Sequence, residues 1–261
     1  MIPGPQDVLA IVSGSVVGFS LGLIGGGGSI LAVPLIAYGV GLRDPHVAIG
    51  TSALAVAVNA FASLASHARA RNVCWRCGGV FAGAGILGAL AGSGAGKALD
   101  GQKLLFLFAL LMIVVAGMMW RRRSRIEIAE HSFRREHLPR MLGFGFGTGA
   151  LSGFFGIGGG FLIVPALVAA SGMPLYRAIG TSLVAVGAFG LTTAASYAAA
   201  GLVDWAIASW FILGGVIGSF AGAAGARRLA ADRARLGTFF AAIIVAVAAY
   251  MLWRSWLAFT S

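Results

Sequence analysis

Every carboxylate in this chain lies outside its long apolar runs. The eight acids are Asp7, Asp44, Asp100, Glu127, Glu130, Glu136, Asp204 and Asp232, and each falls between such runs, never in the middle of one. A bilayer imposes that pattern, because a charge at its centre costs ~3 kcal/mol or more. Composition agrees: of 261 residues 59% are hydrophobic and 10% charged, with a mean hydropathy of +0.92. No water-soluble domain needs so much apolar surface. The chain is expected to be an all-α polytopic protein of the cell (plasma or inner) membrane, with the lipid bilayer as its main partner.

The net charge of +11 raises the possibility of nucleic-acid binding. The position of the bases argues against it. They sit in short loops between apolar segments, where a positive-inside bias accounts for them. No nucleic-acid partner is expected. Residues Met1 to Asp7 hold no Lys or Arg, so they do not read as the charged leader of a cleaved signal peptide. Cys74 and Cys77 are spaced C-x-x-C, with no second pair and His67 as the nearest histidine. They are expected to be free thiols at a helix start.

The chain repeats itself. Residues 20–34 read SLGLIGGGGSILAVP and residues 151–165 read LSGFFGIGGGFLIVP. Ala48-Ile49-Gly50-Thr51-Ser52 matches Ala178-Ile179-Gly180-Thr181-Ser182, and HARARNVCW from His67 aligns with YAAAGLVDW from Tyr197. Gly85, Gly88 and Gly92 match Gly215, Gly218 and Gly222. The expected organisation is a first membrane repeat over 1–120, a basic linker over 121–140 and a second repeat over 141–261. Each repeat holds five apolar stretches, at roughly 8–24, 28–41, 46–66, 73–96 and 101–120, then 139–156, 160–171, 175–197, 203–226 and 236–257.

Charge counting selects the topology. If the chain turns back at the glycine runs, each half has an odd number of segments and the halves are inverted. Of the 19 Lys and Arg, 15 then fall on one side and 4 on the other. If the first two stretches form one kinked span, the split is only 11 to 8. The stronger bias favours inversion, with both termini outside and the linker on the cytoplasmic leaflet.

The second stretch of each repeat is short. About fourteen residues at ~1.5 Å each reach ~21 Å, less than the ~30 Å hydrocarbon core. Gly25, Gly26, Gly27 and Gly28 precede it in one half; Gly156, Ile157, Gly158, Gly159 and Gly160 precede it in the other. Helices are expected to break there and to restart near Ser29 and Phe161, with Pro34 and Pro165 suited to a first helical turn. Non-helical backbone at membrane depth survives only in protein or beside a water-filled cavity. Paired, glycine-broken, short segments in two inverted halves point to a transporter's substrate site. The free N–H groups and positive dipole end of a restarting helix favour an anion. The alternative is that the glycines only permit tight helix crossings.

In the third stretch Ser52, Asn59, Ser63 and Ser66 share one helical face, and Ser182, Phe189, Thr193 and Ser196 repeat it. Such a stripe bonds neighbouring helices or lines a solute path. Asn59 and the Thr51-Ser52 and Thr181-Ser182 pairs are the path candidates. Gly14, Gly18, Gly22 and Gly26, with Gly145, Gly149 and Gly153, read as close-packing faces, as do Gly88, Gly92 and Gly96. Gly18-Phe19-Ser20-Leu21-Gly22 matches G-x-S-x-G, but no His lies inside an apolar segment to serve as base. No phosphate loop or metal cluster is present. The chain is expected not to be an enzyme and to need no cofactor; no metal ligands or catalytic residues are assigned.

The glycine run followed by V-P, the A-I-G-T-S segment and the V-x-W start of the fourth stretch occur in both halves. This doubled pattern resembles the TauE/SafE family of sulfite and organosulfonate exporters, over nearly the whole chain outside the linker. The resemblance implies a small anionic substrate, sulfite or an organosulfonate, moved out of the cell. The positions it carries over are Gly25 to Gly28, Pro34, Gly50 to Ser52, Gly156 to Gly160, Pro165 and Gly180 to Ser182. Cys74 stands where the second half has Asp204. Alternating access around an anion at the paired breaks is the expected mechanism. Arg177 could draw anions in or only anchor a helix end. No carboxylate lies inside the bilayer for proton coupling, and an anion leaving a negative interior gains ~2.3 kcal/mol per charge per 100 mV. Efflux driven by membrane potential follows. An uptake permease for a sulfur oxyanion and a non-transporting membrane scaffold subunit remain alternatives, and the sequence sets no oligomeric state.

Overall fold

The computed structural model describes residues 4–121, 137–156, 160–228, 242 and 244–254, and every element in them is helical. Gly158, Gly159 and most of the linker lie outside the described residues. Helix α1 runs over Pro5–Ile24 and gives way to a 3-10 segment, Gly25–Leu31. A short α2 (Ala32–Pro34) and a π-helical turn (Leu35–Val40) follow. Then come α3 (Pro45–Arg69), α4 (Trp75–Ala98) and α5 (Gly101–Arg121). The second half supplies α6 (Leu138–Phe155), α7 (Gly160–Ser171), α8 (Leu175–Ala198), α9 (Trp205–Arg228) and α10 (Ile244–Arg254).

Each described carboxylate starts a helix. Asp7 accepts from the Gly4 amide at 2.8 Å, Asp44 from those of His46 and Val47, Asp100 from Gln102 and Lys103, and Asp204 from Ile207. A carboxylate there satisfies amides that the helix leaves open and meets the positive end of its dipole. The acids excluded from the apolar runs are therefore the punctuation between them.

Among the described residues five helices are long and apolar enough to cross a membrane: Pro5–Leu23, Pro45–Arg69, Trp75–Ala98, Tyr176–Ala198 and Trp205–Gly225. Their outer faces carry large apolar side chains, with Leu87 64% and Ile217 63% exposed at matched positions of the two halves. Water would penalise such a belt and lipid favours it. Trp75 and Trp205, also matched and exposed, start α4 and α9 at opposite ends of the molecule, as interfacial tryptophans do. The chain is an all-α polytopic membrane protein.

The halves interlock by exchanging helices. Gly14, Gly18 and Gly22 of α1 lie against the backbone of Phe211, Gly215 and Ser219 in α9. Gly145, Gly149 and Gly153 of α6 lie in the same way against Phe81, Gly85 and Ala89 in α4. Every partner in the first set is matched in the second. The glycine stripes let two helix backbones approach more closely than any side chain would permit. At the centre α3 crosses α8 antiparallel, with Gly187 on Phe61 and Gly190 on Ala57.

The chain does turn back at the first glycine run. Gly28 folds onto the backbone of Ser20 and Leu21, and Val40 packs with Ala10 near the start of α1. Stretches one and two are thus an antiparallel pair and not one span. The described charges then segregate. Loop 70–74 meets the start of α8, where Asn72 Nδ2 donates to the Tyr176 carbonyl at 2.8 Å, so Arg69, Arg71, Arg76 and Arg177 share one end. Lys97 bonds Ser196, Gly101 abuts Pro45 and Arg254 lies over the Tyr38 ring, which places Lys97, Lys103, Arg43 and Arg254 at the other.

Three local expectations are corrected. Cys74 and Cys77 are not free thiols but form a disulfide, with Cα atoms 5.4 Å apart. The first turn of α4 brings positions three apart onto one face, which puts the two sulfurs in reach. The first half does not restart as an α-helix at Ser29, because the tighter 3-10 turn carries the chain through the glycines. Nor does Pro165 sit in a first helical turn, as Pro34 does in α2. Pro34 ends the three-residue α2, and Pro165 lies inside α7, where its ring removes one backbone bond.

Candidate functional site

The two glycine breaks meet each other. A Cβ built on Gly26 would lie 2.6 Å from the Cα of Gly160, and one on Gly160 would fall on the Gly26 backbone. Both breaks also touch the crossing helix of the opposite half. Gly25 has φ +74° and faces Ile179, while Gly156 has φ +67° and faces Ile49. These left-handed positions are matched, and so are the two isoleucines. L-residues with a side chain rarely adopt such φ values, so glycine is what allows α1 and α6 to end there.

The serines of the A-I-G-T-S segments reach the same place. Ser182 Oγ accepts from the Gly26 amide at 3.3 Å and donates to the Ile179 carbonyl. Ser52 Oγ lies 3.4 Å from the Gly156 carbonyl and 2.8 Å from that of Ile49. Each serine therefore ties the end of one half's broken segment to the other half's crossing helix. Ser29 is wholly buried and donates to the Gly26 carbonyl at 2.9 Å. Gly27 and Gly28 lie in the 3-10 turn, with Gly28 packed on Ser20.

The threonines point elsewhere. Thr181 Oγ1 accepts from the Cys74 amide at 2.9 Å, and Thr51 Oγ1 from the Asp204 amide at 3.0 Å. They fasten the loops at the ends of α3 and α8, not the breaks. Asn59 fills the notch left by Gly215 of α9, as Phe189 fills that of Gly85 in α4. Its Nδ2 and Oδ1 are buried with no hydrogen-bond partner. Ser63 and Thr193, matched positions one turn on, also have buried, unpartnered hydroxyls. The stripe thus runs from the breaks into helix interfaces on either side.

Among the described residues the breaks hold hydroxyls and backbone amides but no charge. Neutral dipoles can replace part of an anion's hydration and still release it. Gly26 and Gly160 in contact leave no passage between them, so this arrangement is closed at its centre. A cleft of about 270 Å³ lined by Ser66, Arg69, Ala70 and Phe220 lies at the arginine-rich end. Sequence reasoning missed His67 here. It sits in the last turn of α3, buried, with Nε2 3.4 Å from the Gly22 carbonyl and Nδ1 3.2 Å from Asn72 Nδ2. Its alignment with the buried Tyr197 was the only signal of it.

Two interlocked halves whose broken segments meet inside a helical bundle define a membrane transporter. Known proteins bear this out: two Xylella fastidiosa strains each carry a probable membrane transporter protein similar to this chain. The one from strain Temecula1 is 52% identical over 253 residues, covering 95% of this chain and 96% of the relative. A probable membrane transporter protein of Bacillus subtilis, YunE, is 27% identical over 85% of the chain and 89% of its own length. The chain belongs to the TauE/SafE family, whose model, described as sulfite exporter TauE/SafE, matches residues 10–251. No solved structure matches it.

Proposed function

We propose that this transporter exports a small sulfur-containing anion, sulfite or an organosulfonate, by alternating access around the paired glycine breaks. The observation that carries the reading is the contact of Gly26 with Gly160, flanked by Ser182 on one break and Ser52 on the other. The substrate would bind where these amides and hydroxyls become free as the breaks part. Gly25, Gly27, Gly28, Ser29 and Gly156 would line the same opening, while Thr51, Thr181 and Asn59 would hold the helices around it.

The arginine-rich end would face the cytoplasm together with the linker, and the termini the outside. Arg69, Arg71, Arg76 and Arg177 would concentrate anions at the inner mouth, where the cleft beside Arg69 opens. The four described carboxylates all cap helices, which supports the membrane potential, and not a proton, as the driving force.

The test is purified protein in proteoliposomes loaded with sulfite, sulfate, thiosulfate, taurine or sulfoacetate, under a clamped potential. Saturable efflux of one of them that grows with the potential is expected. Obligatory proton exchange with no response to the potential would overturn the driving force. Movement only inward would favour an uptake permease, and no saturable binding of any anion would favour a scaffold role.

A further inference from the structure

Lys97 stands in the last turn of α4, at the end of the molecule away from Arg69 and Arg177. Its Nζ donates to the Ser196 carbonyl at 3.0 Å and to Ser196 Oγ at 2.9 Å, and lies 5.8 Å from the centroid of the Tyr197 ring. An ammonium carries three donors, so one N–H remains. No described carboxylate pairs with it, and Asp44 and Asp100 are spent on capping α3 and α5.

Two buried polar groups beside it lack partners. Tyr197 is wholly buried, its hydroxyl has no hydrogen bond, and a Cβ on Gly96 would lie 3.2 Å from that hydroxyl. His46 Nδ1 is likewise buried and unpartnered, and its ring centroid is 6.5 Å from that of Tyr197. Ser93 Oγ, 2.9 Å from Ser196 Oγ, completes the cluster. A half-buried cation without a counter-charge, beside unused donors, is a costly arrangement unless an anion completes it.

The opposite end shows what a completed version looks like. The halves match Tyr197 with His67, His46 with Tyr176 and Ser196 with Ser66. His67 and Tyr176 pack at 6.4 Å, but His67 is bonded to Gly22 and Asn72. One His–Tyr pair is satisfied by the protein and the other is not.

We propose that Lys97, Tyr197, His46 and Ser196 form an anion-binding subsite for a small oxyanion at the mouth opposite the arginine-rich end. It rests on the anion-transport reading for its ligand but not on the breaks. The subsite would hold the anion at that mouth before it leaves.

The experiment is calorimetric binding of sulfite and of sulfate to the full-length protein in detergent. Melting without ligand is followed in parallel. Lys97→Gln is expected to weaken binding about 10-fold or more and Tyr197→Phe about 3-fold or more, while Lys97→Arg stays near wild type. Both phenylalanine and glutamine variants should also lose the melting shift that sulfate gives the wild type. Variants that melt lower but bind as wild type would show Lys97 to be only a C-terminal cap for α8, and the subsite would fall. Wild-type protein that transports an anion with unaltered kinetics in Lys97→Gln and Tyr197→Phe would overturn the subsite alone. Wild-type protein that neither binds nor moves any anion would overturn the transport reading as well.

Discussion

Gly26 and Gly160 touch backbone to backbone, although they are not matched positions of the two halves. Gly26 aligns with Ile157 and Gly160 with Ser29, so the contact joins unlike residues of the two breaks. The two breaks therefore differ in residue type inside a framework that repeats closely. A substrate held there would meet a serine hydroxyl from one half where the other offers only backbone.

That contact makes a sharp prediction. Gly160→Leu should abolish transport in proteoliposomes, because the side chain has no space against the Gly26 carbonyl and wedges the breaks. Gly160→Ala should reduce the rate about 10-fold or more. Equal rates for wild type and Gly160→Ala would show that the breaks do not need to close on each other.

The glycine stripes should separate cleanly from the open glycines. Gly18→Ala and Gly149→Ala place a methyl on the backbone of Gly215 and Gly85, and each should cost ~1–3 kcal/mol or more. Gly83→Ala and Gly94→Ala, also in long helices but with nothing within 4 Å, should instead stabilise by up to ~1 kcal/mol. Chemical denaturation in a mixed-micelle system measures both signs.

Asn59 offers a separate test of the polar stripe. Its amide is buried and unpartnered, so Asn59→Leu should leave stability unchanged or raise it by ~1–3 kcal/mol. Transport is expected to survive, since the side chain points into the Gly215 notch and not at the breaks. Loss of transport with an intact fold would place Asn59 on the solute path.

The Cys74–Cys77 bond should block both thiols. A maleimide polymer is expected to shift the protein's mobility only after reduction, by two labels. Cys74→Asp, which copies the cap made by Asp204 in the second half, should hold the α4 start when Cys77 is replaced by Ala.

Inversion can be read from sidedness. In a background without cysteines, Arg71→Cys and Ala200→Cys occupy matching loops at opposite ends. A membrane-impermeant reagent added to intact cells should label position 200 and spare position 71. Labelling of both from one side would refute the inverted arrangement.

Much of the architecture was legible because a bilayer constrains sequence so strongly. The acids outside the apolar runs, the glycine stripes and the matched segments each follow from a local cost: a charge in lipid, a side chain between close helices, a repeated unit. Those costs act residue by residue, so they leave a linear trace. Even the turn at the glycines could be read from charge counting, since loop charge records the side on which a loop lies.

The tertiary structure alone decided which residues meet. Spacing put Thr51 and Ser52 together as path candidates, but one hydroxyl turns to the Asp204 amide and the other to the break. Adjacent residues on a helix point about 100° apart, and only the neighbours determine what each one finds there. The C-x-x-C pair became a disulfide because a helix turn closed the gap between the sulfurs. The Lys97 cluster draws on α3, α4 and α8, elements separated by up to half the chain. No local pattern announces such a site, because long-range packing assembles it from residues that are each unremarkable in sequence.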